Sequence, residues 1–517
     1  MTTTSDLLAQ PFCTVSEMIA AHSAERPDHA AIIDGTTTIT YRDLDIAVTA
    51  AAAALSSRGI GPGCVSAICA PTSHAYVIAF LGTLRAGAAA CPLSPSVTAD
   101  SLAAMISDCG ARVLFTDDAV SAFLGTRLAD ERIERVFLEG DGKPTLETFC
   151  RSSAQDFTPP GNQPGDPFNI IYSSGTTGAP KGIVQPHSMR WGHVRRAEGL
   201  GYGPSSITVV STPLYSNTTL VSLIPTLVRG GTLVLMRKFD ARAFLELSQK
   251  HRATHAMLVP VQYSRIMSLP EFDHFDLSSY QMKTCTSAPF SASLKADILA
   301  RWPGGLVEIF GMTEGGGSCL LYAHEHPNKL HTVGRPAPGH DIRIIDEAGR
   351  EVSPGASGEV VGRSAAMMTG YHNQPAKTAD AEWRSPAGDR FIRTGDIGRF
   401  DEDGFLVLGD RKKDMIISGG FNIYPSDLEA ELSRHEAVAE CAVVGVASAE
   451  WGETPAAFVV LKAGTSIEAD ALKAWLNDRV GRMQRLSHLR LLSSLPRSSI
   501  GKVLKRELRD GFKVEAG

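Results

Sequence analysis

Short β-branched and apolar runs alternate with helical patterns along most of this chain, and no other feature restricts the fold as much. Ile207–Thr212, Thr232–Met236, Ala256–Val259 and Leu306–Phe310 read as strands, with helical spacing at Ala241–His251 and Ala292–Arg301 between them. Such alternation predicts α/β layers built on largely parallel strands. Nearer the start, Ala47–Arg58 reads as an alanine-rich helix ended by Gly59, with Gly61-Pro62-Gly63 beyond it. Asp156–Pro167 is rich in Pro, Gly, Gln and Asn and reads as a surface connection into a strand at Phe168–Tyr172.

At 517 residues the chain exceeds one ordinary core, so more than one domain is expected. A boundary falls near Asp410, dividing a large domain, 1–410, from a small α+β domain, 411–517. Before it, Asp401-Glu402-Asp403-Gly404 reads as a turn and Phe405–Leu408 as a strand. Beyond it, Ser426 and Glu429 match a capping box, Leu428 and Leu432 follow at helical spacing, and Cys441–Val446 reads as a strand.

Composition narrows the function classes. Net charge is −6 and there is no long basic run, which argues against nucleic acid or an anionic membrane as partner. No apolar stretch is long enough to span a bilayer, and Met1–Leu8 is polar, without a signal-like pattern. The nine cysteines are scattered and form no CxxC pair, so the expectation is a cytoplasmic protein with neither zinc ribbon nor disulfide framework. His324, Glu325, His326 and His331 fit no standard zinc spacing and read as loop residues.

The strongest local signal is Tyr172-Ser173-Ser174-Gly175-Thr176-Thr177-Gly178-Ala179-Pro180-Lys181-Gly182, directly after a strand. Four Ser/Thr hydroxyls, three glycines and one lysine fall within eleven residues. Glycines let the backbone turn tightly and offer N–H groups to an anion; hydroxyls donate to phosphate oxygens; Lys181 adds charge. The composition suits polyphosphate better than a flexible Ser/Gly linker. It is not a Walker A loop, because Gly182 stands where Ser or Thr would follow the lysine. Neither GxGxxG nor GxSxG occurs in the chain.

From this loop outward the chain resembles the adenylate-forming superfamily, which contains acyl- and aryl-CoA synthetases, non-ribosomal peptide adenylation domains and beetle luciferases. Motifs occur in the family's order from Ile39-Thr40-Tyr41 to Lys502. The resemblance implies roles residue by residue. Ser287-Ala288-Pro289 would shape the nucleotide pocket beside the adenine. In Phe310-Gly311-Met312-Thr313-Glu314, the ring of Phe310 would stack on adenine, Thr313 would donate to the α-phosphate, and Glu314 would hold Mg²⁺. Phe310 replaces the family's usual Tyr and lacks its hydroxyl. Asp396, in Arg393-Thr394-Gly395-Asp396, would accept both ribose hydroxyls, with Arg411 reaching the ribose or phosphates.

The resemblance also implies two half-reactions at one site. A carboxylate attacks the α-phosphate of ATP and releases pyrophosphate; a thiol, that of coenzyme A, then attacks the acyl-adenylate. The small C-terminal domain would rotate between the steps about a hinge at Lys413. Lys502, in Pro496–Lys502, matches the catalytic lysine. An ammonium between two anions lowers their barrier by charge compensation and orientation. Ser418-Gly419-Gly420 would close over the pantetheine thiol. Two alternatives stay open: a stand-alone ligase loading a carrier protein, and a non-catalytic nucleotide-binding protein.

For the acid, Pro213–Leu220 lies where the family builds one pocket wall, including Tyr215, Ser216 and Asn217. It has no Asp to pair with an amino group, which argues against an amino acid substrate, and Ser216 stands where many relatives have His. Gly315 and Gly316, followed by Gly317, leave room beside the pocket, and no cation stands out in these segments for a second carboxylate. The expectation is a monocarboxylic acid with an apolar aromatic or medium-length alkyl body.

Overall fold

The computed structural model describes residues 2–516 except 129–131, 152–156, 174–180, 412–413, 419–420, 449–450, 482–483 and 499–500; at residues 173, 410–411, 421–422 and 513–516 only the backbone is described. The architecture is mixed α/β. The chain divides into two compact units: one of Met1–His331, Pro336–Asp341 and Gly362–Ile392, the other of Thr332–Arg335, Ile342–Val361 and Arg393–Gly517.

The first unit holds the parallel sheets that the alternation predicted. In one, the described strands Ile207–Val210, Thr232–Leu235, Ala30–Asp34, His255–Leu258, Met282–Cys285 and Gly305–Phe310 are linked by parallel pairings. The antiparallel strands Thr37–Thr40 and Cys319–Tyr322 flank them. In the other, Ala89–Pro92, Val65–Cys69, Val113–Asp117 and Glu134–Glu139 run parallel. Pro167–Ser173 joins that sheet parallel to Ala89–Pro92 and pairs antiparallel with Lys181–Pro186. The strands are apolar on both faces because helices cover both, as parallel sheets require. Helices Tyr41–Ser57, His74–Arg85 and Asn217–Val228 supply much of the largest buried cluster.

Helices Ala241–His251 and Ala292–Arg301 occupy the spans read from the sequence. The alanine-rich helix begins earlier, at Tyr41, where Thr40 and Asp43 form a capping box. Gly59, at φ +67°, follows its end, a conformation glycine adopts without strain.

The second unit carries an antiparallel core, with Val438–Ser448 paired along Gly452–Leu461 and Ile416–Ser418 on Phe421–Ile423. Helix Pro425–Leu432 departs from the sequence expectation. Pro425 takes the first helical position and Tyr424 becomes the cap residue, without a side-chain cap. Ser426 is therefore inside the helix. Glu429 instead accepts from the Val443 N–H at 2.7 Å and pairs with Lys505 at 2.7 Å, so tertiary partners took the group that the capping box needed. Among the described residues no helix is long and apolar enough to cross a membrane.

Candidate functional site

The hairpin Pro167–Ser173/Lys181–Pro186 sets Tyr172 opposite Gly182 and Ser173 opposite Lys181, so the predicted phosphate loop is its connection. Ser174, Gly175, Thr176, Thr177 and Gly178 lie outside the described residues, as does the side chain of Ser173. Lys181 is described: its Nζ sits 5.0 Å from the centroid of the Tyr371 ring, within cation–π range.

Tyr371 ties this end of the hairpin to the Thr313–Glu314 turn. Its hydroxyl donates to Glu314 Oε1 at 2.9 Å, which orients the carboxylate. Burial and the nearby Glu314 carboxylate push the Tyr371 phenol pKa up, so it stays a donor. The Glu314 carbonyl accepts from the Met368 N–H at 2.8 Å. Among the described residues no three His, Cys, Asp or Glu side chains converge as a metal cage. A single oriented carboxylate fits Mg²⁺ where phosphate oxygens and water supply the other ligands.

Phe310 ends strand Gly305–Phe310 and is half-buried, with Gly311 exposed after it. Met312 packs against a cluster containing Ile183, Met368, Tyr371 and Ile392. Gly315 and Gly316 take φ of +76° and +85°. A Cβ on Gly315 would overlap the Ala366 carbonyl oxygen and lie 3.0 Å from Met367 Cα; one on Gly316 would lie 2.8 Å from the Gly362 carbonyl oxygen. Backbone packing therefore requires both glycines, whatever lies in the acid pocket.

Ser287 has a left-handed φ of +84°, a strain that non-glycine residues carry mainly at functional places. Its Oγ is 2.6 Å from Thr218 Oγ1, joining the predicted nucleotide turn to the predicted acid wall. Ala288 is half-buried and Pro289 exposed. Ser216 caps helix Asn217–Val228, accepting from the Thr218 N–H at 3.3 Å, and Tyr215 is half-buried before it.

Three contributors escaped the sequence reading. Arg190, on helix His187–Arg196, is only 1% exposed. Its Nη2 donates to Asn169 Oδ1 at 3.0 Å, to Asn217 Oδ1 at 2.9 Å and to Gln185 Oε1. Gln185 Nε2 donates to the Thr313 carbonyl at 2.6 Å and to Asn217 Oδ1 at 3.2 Å. Burial lowers the Arg190 pKa to about 9, which still leaves it charged at neutral pH. The missed signal was an arginine three residues after His187 on a face that also buries Val194. The third, Tyr371, lies far along the chain from both segments that it joins.

In the second unit, Asp396 on strand Arg390–Phe400 is the register partner of Arg411 on strand Leu406–Arg411. The Asp396 N–H donates to Thr394 Oγ1 at 3.0 Å. Lys502 is tied back to Ser498: its N–H donates to Ser498 Oγ at 3.1 Å and the Ser498 N–H donates to its carbonyl at 2.8 Å, while Gly501 has φ +78°. Ser418 is buried and pairs with Phe421 and Gly452. Gly419, Gly420 and the hinge residue Lys413 lie outside the described residues, as does the Arg411 side chain.

The hairpin that carries Lys181, the Glu314 carboxylate held by Tyr371 and, in the second unit, the residues around Lys502 are the features expected of a nucleotide-dependent, acid-activating enzyme. The chain belongs to the AMP-binding enzyme family: the family's main model matches residues 19–372 and its C-terminal domain model residues 427–502. A feruloyl-CoA synthase of Amycolatopsis sp is 33% identical, covering 94% of this chain and 96% of that protein. A fatty acid–[acyl-carrier-protein] ligase, ScoC, of Streptomyces coeruleorubidus is 31% identical, covering 96% of each. Among solved structures, ATP-bound MatB from Rhodopseudomonas palustris superposes with a TM-score of 0.88 at 27% identity, over 97% of this chain and 99% of that one.

Proposed function

We infer that this chain is an AMP-forming acid–CoA ligase: a carboxylic acid and ATP give acyl-AMP and pyrophosphate, and the thiol of coenzyme A then gives acyl-CoA and AMP. The observation that carries the reading is the packing of Tyr371, Glu314 and Thr313 along strand Lys181–Pro186, through Lys181 at its loop end and Gln185 near its other end, in a chain of this family.

In the first step the loop 173–178 and Lys181 hold the polyphosphate, Thr313 donates to the α-phosphate, and Ser287, Ala288, Pro289, Phe310, Gly311 and Met312 border the adenine. Asp396 accepts the ribose hydroxyls, assisted by Arg411. Lys502 bridges the attacking carboxylate and the α-phosphate oxygen, so two anions meet around an ammonium group. Glu314 would hold Mg²⁺, which supplies neutralising charge to the polyphosphate. In the second step the small domain, 411–517, turns about Lys413 and brings Ser418, Gly419 and Gly420 beside the thiol.

The acid is a monocarboxylate with an apolar, aromatic body, supported by relatives named feruloyl-CoA synthase and 4-coumarate–CoA ligase and by a pocket wall at Tyr215–Asn217 without an acidic residue. The relative named for an acyl carrier protein favours one second reading, transfer to a carrier phosphopantetheine. The enzyme works in the cytoplasm, where ATP and coenzyme A are supplied. Acid-dependent ATP–pyrophosphate exchange over aromatic and aliphatic acids tests the first step, and consumption of free coenzyme A separates the acceptors. No exchange with any acid would leave only a nucleotide-binding protein.

A further inference from the structure

Arg190 is a buried cation with no carboxylate partner among the described residues: the three groups its Nη2 reaches are amide oxygens of Asn169, Gln185 and Asn217. Among the described residues its Nη1 finds no hydrogen-bond partner, nor does Asn169 Nδ2. Burying a charge in this way is costly, and hydrophobic packing of similar volume would usually be cheaper.

A guanidinium offers only donors. Any amide facing it must present its oxygen, so Arg190 dictates which way Gln185 is turned. With Oε1 committed to Arg190, the Gln185 NH₂ points away and donates to the Thr313 carbonyl at 2.6 Å. Gln185 lies on strand Lys181–Pro186, which leaves the phosphate loop, and Thr313 lies in the turn beside Glu314. Asn217, held by the same Nη2, opens the helix of the acid wall. Arg190, with the Gln185 amide that it orients, thus links the three segments that the proposed first half-reaction uses.

We propose that Arg190 is a positioning residue for adenylation, acting through Gln185 to fix the Thr313 peptide relative to the phosphate-loop hairpin. The proposal rests on the ligase reading above. It requires no contact between Arg190 and substrate; it requires that the orientation of the Gln185 amide set the geometry at Thr313.

Gln185→Glu separates this from a structural role. It keeps the volume and sets a carboxylate against Arg190, a better partner than an amide, while removing the donor to the Thr313 carbonyl. The expected result in the full-length enzyme is a melting temperature no lower than wild type. The rate constant of acyl-adenylate formation falls about 100-fold, as misplacement of a reacting group by about 1 Å produces. KM for ATP stays within about threefold, and thioester formation from supplied acyl-AMP stays within about threefold, since neither depends on the geometry of attack. Arg190→Met loses the same step through a freed amide. An adenylation rate within about threefold of wild type in Gln185→Glu would overturn the proposal. Should wild-type protein show no acid-dependent exchange, the ligase reading fails instead. Amide hydrogen exchange of the segment Phe310–Gly317 then decides the positioning claim: faster exchange in Gln185→Glu supports it and unchanged exchange overturns it.

Discussion

Replacing Gly315 by alanine adds one methyl group and tests the local architecture of the site directly. Two costs arise. At φ +76° an L-residue pays roughly 1–2 kcal/mol that glycine does not. The new Cβ would also overlap the Ala366 carbonyl oxygen and lie 3.0 Å from Met367 Cα. Those neighbours are backbone, locked by the Gly315–Met367 bridge and the 2.8 Å bond from Met368 N–H to the Glu314 carbonyl, so they yield less readily than a side chain. Overpacking of this kind costs about 1–3 kcal/mol, which brings the sum to about 2–5 kcal/mol. For a unit of this size the melting temperature of the first unit should drop on the order of 3–6 °C. Gly388→Ala is the control: its φ is +86°, yet nothing lies within 4 Å of the new methyl, so only the backbone cost remains. Thermal melts of wild type and both variants, with pyrophosphate exchange on the folded proteins, make the comparison. Equal shifts in the two variants would refute the packing argument, and an unshifted Gly315→Ala would refute both parts of it.

Other expected outcomes follow from the same geometry. Lys502→Ala should abolish acyl-adenylate formation while thioester formation from supplied acyl-AMP suffers far less; equal losses in both half-reactions would remove the lysine from the first step. Glu314→Ala should raise the Mg²⁺ requirement of exchange, read from a Mg²⁺ titration; a superimposable titration would take Glu314 out of the metal site. Stability should fall on acidification. Burial lowers the pKa of His255 from 6.5 to about 4, so between these values the unfolded chain binds a proton that the native one does not. The contribution is present above pH 6.5 and is lost as pH falls toward 4, about 3 kcal/mol in all. His255→Gln should flatten the pH dependence of denaturant unfolding by that amount, and an unchanged slope would show that His255 is already charged in the native state.

The sequence by itself determined the layered α/β class, because strand and helix periodicities are local and parallel sheets buried on both faces leave continuous apolar runs such as Thr232–Leu235. It also gave the order of the motifs expected to bind phosphate and to carry the lysine, since each is a run of a few neighbouring residues. Tertiary structure alone decided the rest. Glu429 was legible as half of a capping box, yet Val443 and Lys505, brought from later in the chain, took its carboxylate. Gly315 and Gly316 looked like space left for a substrate, and it is the 362–367 backbone pressed against them that demands glycine. Arg190 carries no local motif signal in the sequence. Its buried place depends on Asn169, Gln185 and Asn217 meeting around it, and residues so far apart in the chain meet only after the sheet and its covering helices have packed.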